Sequence, residues 1–116
     1  MKIVDIDQLE KVTLPKHYDH FSREIRGANT GNPDISVLFC EMGADGGAEL
    51  HAHDKSEHIF YILEGEVQVN DGSESKIVSA GQAMVIEPGD EHEVTGSHRG
   101  VDATYIVVTF PPAWTE

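Results

Sequence analysis

Residues 51–58 read His51-Ala52-His53-Asp54-Lys55-Ser56-Glu57-His58, three imidazoles and two carboxylates in one short stretch. Imidazole nitrogen binds borderline divalent metals, and three or four such donors meeting at a point make a metal centre. Side chains of a strand alternate between its two faces, so His51 and His53 would point the same way. His58 follows the polar Asp54-Lys55-Ser56 and heads the apolar run Ile59-Phe60-Tyr61-Ile62-Leu63, which reads as the antiparallel partner strand. His92, after Pro88-Gly89-Asp90-Glu91, starts another strand-like run and is the natural fourth donor. Glu57, beside His58, is a candidate catalytic base or hydrogen-bond acceptor for a ligand's free N–H; the bland alternative is that it faces solvent.

Donors so spaced need strands to carry them. Helical periodicity is nearly absent, with a turn or two at 5–11 the one candidate. Short β-like runs recur at 35–41, 59–63, 66–69, 76–78, 83–87 and 102–110. Between them lie turn signals: Gly31-Asn32-Pro33-Asp34, Gly43-Ala44-Asp45-Gly46-Gly47, Asn70-Asp71-Gly72, Pro88-Gly89-Asp90 and Gly96-Ser97-His98-Arg99-Gly100. Such punctuation predicts an all-β sandwich or barrel. Val67 and Val69 alternate with polar residues up to Asp71-Gly72, and the chain resumes at Lys76-Ile77-Val78, which predicts a hairpin. The last strand carries Thr104, Ile106, Val108 and Phe110 on one face and Ala103, Tyr105, Val107 and Thr109 on the other, both expected to be largely buried. Pro111-Pro112 ends it, leaving a short tail with Trp114. An N-terminal arm at 1–20 gives the least signal.

With 116 residues the chain has room for a single domain, 1–116, with one core. Eight Lys and Arg against 21 Asp and Glu give a net charge of −13, which repels phosphate backbones and anionic headgroups, so neither nucleic acid nor membrane is an expected partner. No apolar run approaches the roughly 18 residues of a membrane span. One cysteine, Cys40, permits no internal disulfide, and no basic-then-apolar leader is visible at the N-terminus, so a cytoplasmic location is expected.

The order Gly46-Gly47, His51-x-His53, His58, Gly65, then Gly81, Glu87-Pro88-Gly89, His92 resembles the two motifs of the cupin superfamily, G-x5-H-x-H-x(3,4)-E-x6-G and G-x5-P-x-G-x2-H-x3-N. The resemblance covers roughly 35–110. It implies a double-stranded β-helix, the cupin jelly-roll barrel, in a small bacterial-type homodimer with a divalent metal inside. Carried over by position, His51, His53 and His92 fall on ligand positions. At the Glu position this chain departs: counting back from Gly65 lands on His58, whereas Glu57 fits only the shorter spacing from His53. His58 is taken as the ligand ahead of Glu57. Glu87 replaces the first Pro of the second motif, and Gly96 stands at its Asn.

Four neutral imidazoles would leave a divalent ion its full charge, favouring an anionic or enolate-forming substrate. The ligand set does not choose among manganese, iron, nickel, copper and zinc. The resemblance thus implies a metal-dependent enzyme acting on a small oxygenated organic substrate. Its chemistry would be a dioxygenase-type oxidation, hence an oxidoreductase, or an isomerase or lyase step via a metal-bound enolate. The alternative is a non-catalytic module that binds a metal or small ligand. The chain carries no output domain of the kind a sensor needs, which favours the enzyme.

Other residues have plainer readings. One of Phe60 and Tyr61 should line the cavity, and Tyr105 shares that ambiguity; Cys40 reads as a small buried hydrophobe. His17, His20 and His98 lie in polar, loop-like surroundings and are expected to be exposed. Arg23 and Arg26 could reach a substrate carboxylate at the barrel mouth, or form surface salt bridges.

Overall fold

Among the described residues eight strands make up the fold: β1 (His17–Arg26), β2 (Ser36–His51), β3 (Glu57–Glu64), β4 (Glu66–Asn70), β5 (Ser75–Ser79), β6 (Ala83–Ile86), β7 (His92–Gly96) and β8 (Ala103–Phe110). The structure, a computed structural model, describes residues 1–51 and 54–112, the side chains of 49–51 excepted. His53 and Trp114 lie outside the described residues, as does the side chain of His51. The expected helical turn is a short 3-10 turn at Ile6–Gln8, capped by the Asp5 carboxylate, which accepts from the Asp7 N–H. Among the described residues no helix is long and apolar enough to cross a membrane.

The strands hydrogen-bond in the order β5-β4-β7-β2-β8-β3-β6, with β1 added on β2. This is an all-β, nearly closed barrel. Its two end strands, β5 and β6, are not neighbours in the ladder and leave a seam. Alternation decides which face turns inward: His58, Phe60 and Ile62 of β3 are buried while their neighbours are exposed, and Ala103, Tyr105, Val107 and Thr109 of β8 are buried. The opposite face of β8 is only half-buried, and Phe110 is exposed, so the expectation that both faces are largely buried holds for one alone.

β2 does most to shape the barrel. Residues 43–47, expected as a turn, continue the strand. Its first part pairs with β8, from Ser36↔Thr109 to Met42↔Ala103. Its second part pairs with β7, from Gly47↔Thr95 to His51↔His92. The glycines are there because backbones crowd at this handover: a Cβ on Gly96 would run into the Ala44 carbonyl, and one on Gly46 into the carbonyls of Asp19 and Tyr18. The change of partner carries β7, β4 and β5 across from β8, β3 and β6. Accordingly β3 pairs with β6 and β8, not with the strand that ends in His51.

The hairpin forms as expected between β4 and β5, closed by Asn70↔Ser75. Its loop holds four residues, with Gly72 at φ 95°. The Asp71 carboxylate accepts from the N–H groups of Ser73 and Glu74 and from the Ser73 hydroxyl. At one end of the barrel Met42, Ile62, Val67 and Ala103 pack into a closed core. The other end holds a cavity.

Candidate active-site cavity

The cavity has a volume of about 740 Å³ and is walled mainly by apolar side chains, among them Leu14, Leu38, Phe60, Val94 and Val107. Polar side chains interrupt those walls, Lys16, Ser22, Glu24 and Asn29 among them, and two buried histidine groups stand out. The first is His58 and His92, which are 8% and 3% exposed. Their ring centres lie 5.5 Å apart although their strands are not hydrogen-bonded to each other. Both imidazoles are oriented by their Nδ1 atoms. His92 Nδ1–H donates to the Asp90 carbonyl at 3.0 Å, which leaves the lone pair on Nε2. His58 Nδ1 shares a 2.9 Å hydrogen bond with the Thr109 hydroxyl, directly across the ladder on β8.

This pair suits a divalent transition metal. With metal–nitrogen bonds of about 2.0 to 2.1 Å, two imidazoles at this separation can meet at one ion. The His51 backbone sits directly opposite His92 in the β2–β7 ladder, so the two halves of the sequence motif come together at that rung. Among the described residues no group of three or more His, Cys, Asp or Glu converges.

Glu57 is not brought to the pair. It alternates with His58 on β3, is exposed, and pairs across the ladder with Phe110. A catalytic role at the His58–His92 centre is therefore not carried further. Phe60 lines the cavity, whereas Tyr61 is on the outer face and 45% exposed. Arg23 donates to the Ile6 carbonyl at 2.9 Å and lies near Asp7 and Glu41, and Arg26 donates to the Thr30 carbonyl at 2.7 Å. Both guanidinium groups serve local structure. His98 is exposed, 3.7 Å from Asp45. Cys40 is buried, and burial pushes its thiol up to about 12.

The second polar group is one the sequence did not disclose. His20, expected to be exposed, is 3% exposed and lines the cavity. Its Nε2 lies 2.7 Å from the Tyr105 hydroxyl. Burial, then His17 with its ring centre 4.8 Å away, lowers the His20 imidazole to about 4. Burial also raises the Tyr105 phenol well above its ordinary value, so both partners are neutral near pH 7. The His20 side chain turns inward because of a bulge: the register slips between Tyr18 and His20, and Asp19 takes φ 44°. His20, Ser22 and Glu24 then follow one another along the cavity wall.

Residues 38–109 match the family model described as the cupin domain. Among curated proteins none matches the sequence. Similar solved structures include the polyketide cyclase RemF from Streptomyces resistomycificus, 25% identical with a TM-score of 0.83, covering 97% of this chain and 80% of that one. A predicted oxalate decarboxylase from Thermotoga maritima is 16% identical with a TM-score of 0.81, covering 96% and 100%. KdgF from Halomonas sp. is 15% identical with a TM-score of 0.78, covering 97% and 94%. The last two share the fold.

Proposed function

Because the chain belongs to the cupin family, we propose that it is a metal-dependent enzyme acting on a small oxygenated organic substrate, with His51, His53, His58 and His92 as ligands of one divalent transition metal. The observation that carries this reading is the oriented, buried His58–His92 pair set in a cavity where Phe60, Val94, Val107 and Leu38 supply much of the wall. Such walls exclude water and strengthen every polar contact made inside them. A divalent ion, when bound there, supplies a Lewis acid able to polarise a carbonyl. The residues do the rest: Asp90 and Thr109 hold the imidazoles, and Phe60 and Val94 shape the space beside them.

Of the two chemistries open to such a site, the likeness to a polyketide cyclase over nearly the whole chain favours the route without dioxygen, through an enolate. The reading includes a cytoplasmic homodimer. Low cysteine usage supports the location. An outward apolar face on β3, β6 and β8 supports the pairing: Ile59 stands beside Val85 and Val108, and Tyr61 beside Ile106.

Elemental analysis of protein purified without an affinity tag tests the metal, paired with oxygen uptake on enolisable substrates. About one equivalent of metal per chain is expected. His58→Ala and His92→Ala should lower it about tenfold or more, in line with the loss of a metal ligand's hold, while Glu57→Ala should not. Equal loss in all three variants would overturn the ligand set. Metal bound without turnover of any carbonyl substrate would favour a binding module.

A further inference from the structure

The cavity has a second recognition point opposite in character to the first. His20 Nδ1 is fully buried and has no hydrogen-bond partner, although the other ring nitrogen is engaged by Tyr105. An imidazole buried this way costs stability unless something in the cavity meets the atom. What can meet it depends on the tautomer. Should the Tyr105 hydroxyl donate to Nε2, Nδ1 carries the proton and needs an acceptor; in the other tautomer Nδ1 needs a donor. A hydroxyl group serves in both cases. Charge along the wall is mixed, with Glu24 and Lys16 both lining the cavity, and Ser22 is occupied with Cys40 at 3.5 Å.

Between the two polar points runs a strip of rings. His58 lies 6.2 Å from Phe60, Phe60 stacks on Tyr105 at 5.5 Å with an interplanar angle of 26°, and Tyr105 lies 6.0 Å from His20. Flat apolar surface of this kind accepts a flat ligand. His20 also lies outside residues 38–109, so this point belongs to the chain's own N-terminal strand and not to the family-matched segment.

We propose that His20 Nδ1 recognises a hydroxyl on a planar aromatic or enolic ligand that lies along Phe60 and Tyr105 with its other oxygenated end toward His58 and His92. This deepens the reading of the cavity as the substrate site but does not need the metal.

The test therefore uses the full chain treated with chelator, and two probes of one shape, 2-naphthol and 2-fluoronaphthalene, the second titrated by competition against the first. The unaltered protein should prefer the naphthol about tenfold, the worth of one well-made buried hydrogen bond. Asparagine places a polar atom where Nδ1 stands and glutamine one where Nε2 stands. His20→Asn should keep the preference, His20→Gln should lose it, and both should still bind 2-fluoronaphthalene, which reports an intact cavity. In a second measurement, on unaltered protein labelled with ¹⁵N-histidine, naphthol should move the Nδ1 resonance of His20 more than its Nε2. Equal preference in the Asn and Gln variants, or an unmoved Nδ1 resonance, would overturn the assignment of His20. Binding of both probes without preference removes the hydroxyl contact but leaves the cavity as a ligand site; binding of neither removes both.

Discussion

The His20 imidazole titrates against the fold. Its ordinary value is 6.5, and burial followed by the neighbouring His17 brings it to about 4 in the native state. Between those values the unfolded chain holds the extra proton and the folded one does not, so stability falls as pH drops from 6.5 toward 4 and is level, for this group, below that. Urea midpoints should therefore be lower at pH 4.5 than at pH 7, and the drop should shrink in His20→Gln; an undiminished drop would assign it to other groups. Asp71 acts in a separate window, since hydrogen bonds from Glu74 and Ser73 hold its carboxyl down to about 2, and what it contributes is lost only as pH falls from about 3.8 to 2. His58 and His92 could be found in the sequence because both fall at motif spacings and each starts a strand-like run, apolar after His58. His20 could not, because its strand is inverted: His20, Ser22 and Glu24 face the cavity while Tyr18 and Phe21 are exposed. A wall built to meet a ligand need not look like a wall built to seal a core.

At the scale of the element, β2 is the piece most sensitive to a single atom. Gly96 of β7 passes so close to Ala44 that a methyl group there would strike the backbone carbonyl, and a carbonyl in a ladder cannot step aside as a side chain can. Gly96→Ala should lose about 1–3 kcal/mol, the usual penalty for forcing extra volume into a packed site, read as a lower urea midpoint with an unchanged slope. A midpoint within error of the unaltered protein would mean that β2 and β7 can part at that rung without cost. The strand positions from β3 onward were legible since each is a short run rich in apolar or β-branched residues set between Gly, Pro, Asn or Asp signals. The Gly43-Ala44-Asp45-Gly46-Gly47 stretch was not, because glycine marks both turns and close backbone approach, and only the tertiary partners distinguish them. β1 was missed for the reason its interior face is polar.

For the whole molecule the question is what covers the outer face of β3, β6 and β8, where Ile59, Tyr61, Leu63, Val85 and Phe110 are all exposed. A net charge of −13 drives copies apart, so a second copy must be held by apolar contact. Light scattering at micromolar concentration should give the mass of two chains, and Tyr61→Lys should shift it toward one; one chain for the unaltered protein would remove the dimer. A different consequence follows from the seam between β5 and β6. A groove of about 540 Å³ opens along it, bordered by Asp71, Lys76, Met84 and Glu91, and His92 borders both this groove and the interior cavity. An occupant filling the cavity therefore does not seal His92 off. Traffic of something as small as water could pass on one side of that imidazole while a larger guest is parked on the other, so arrival and departure at the two sides need not wait on each other.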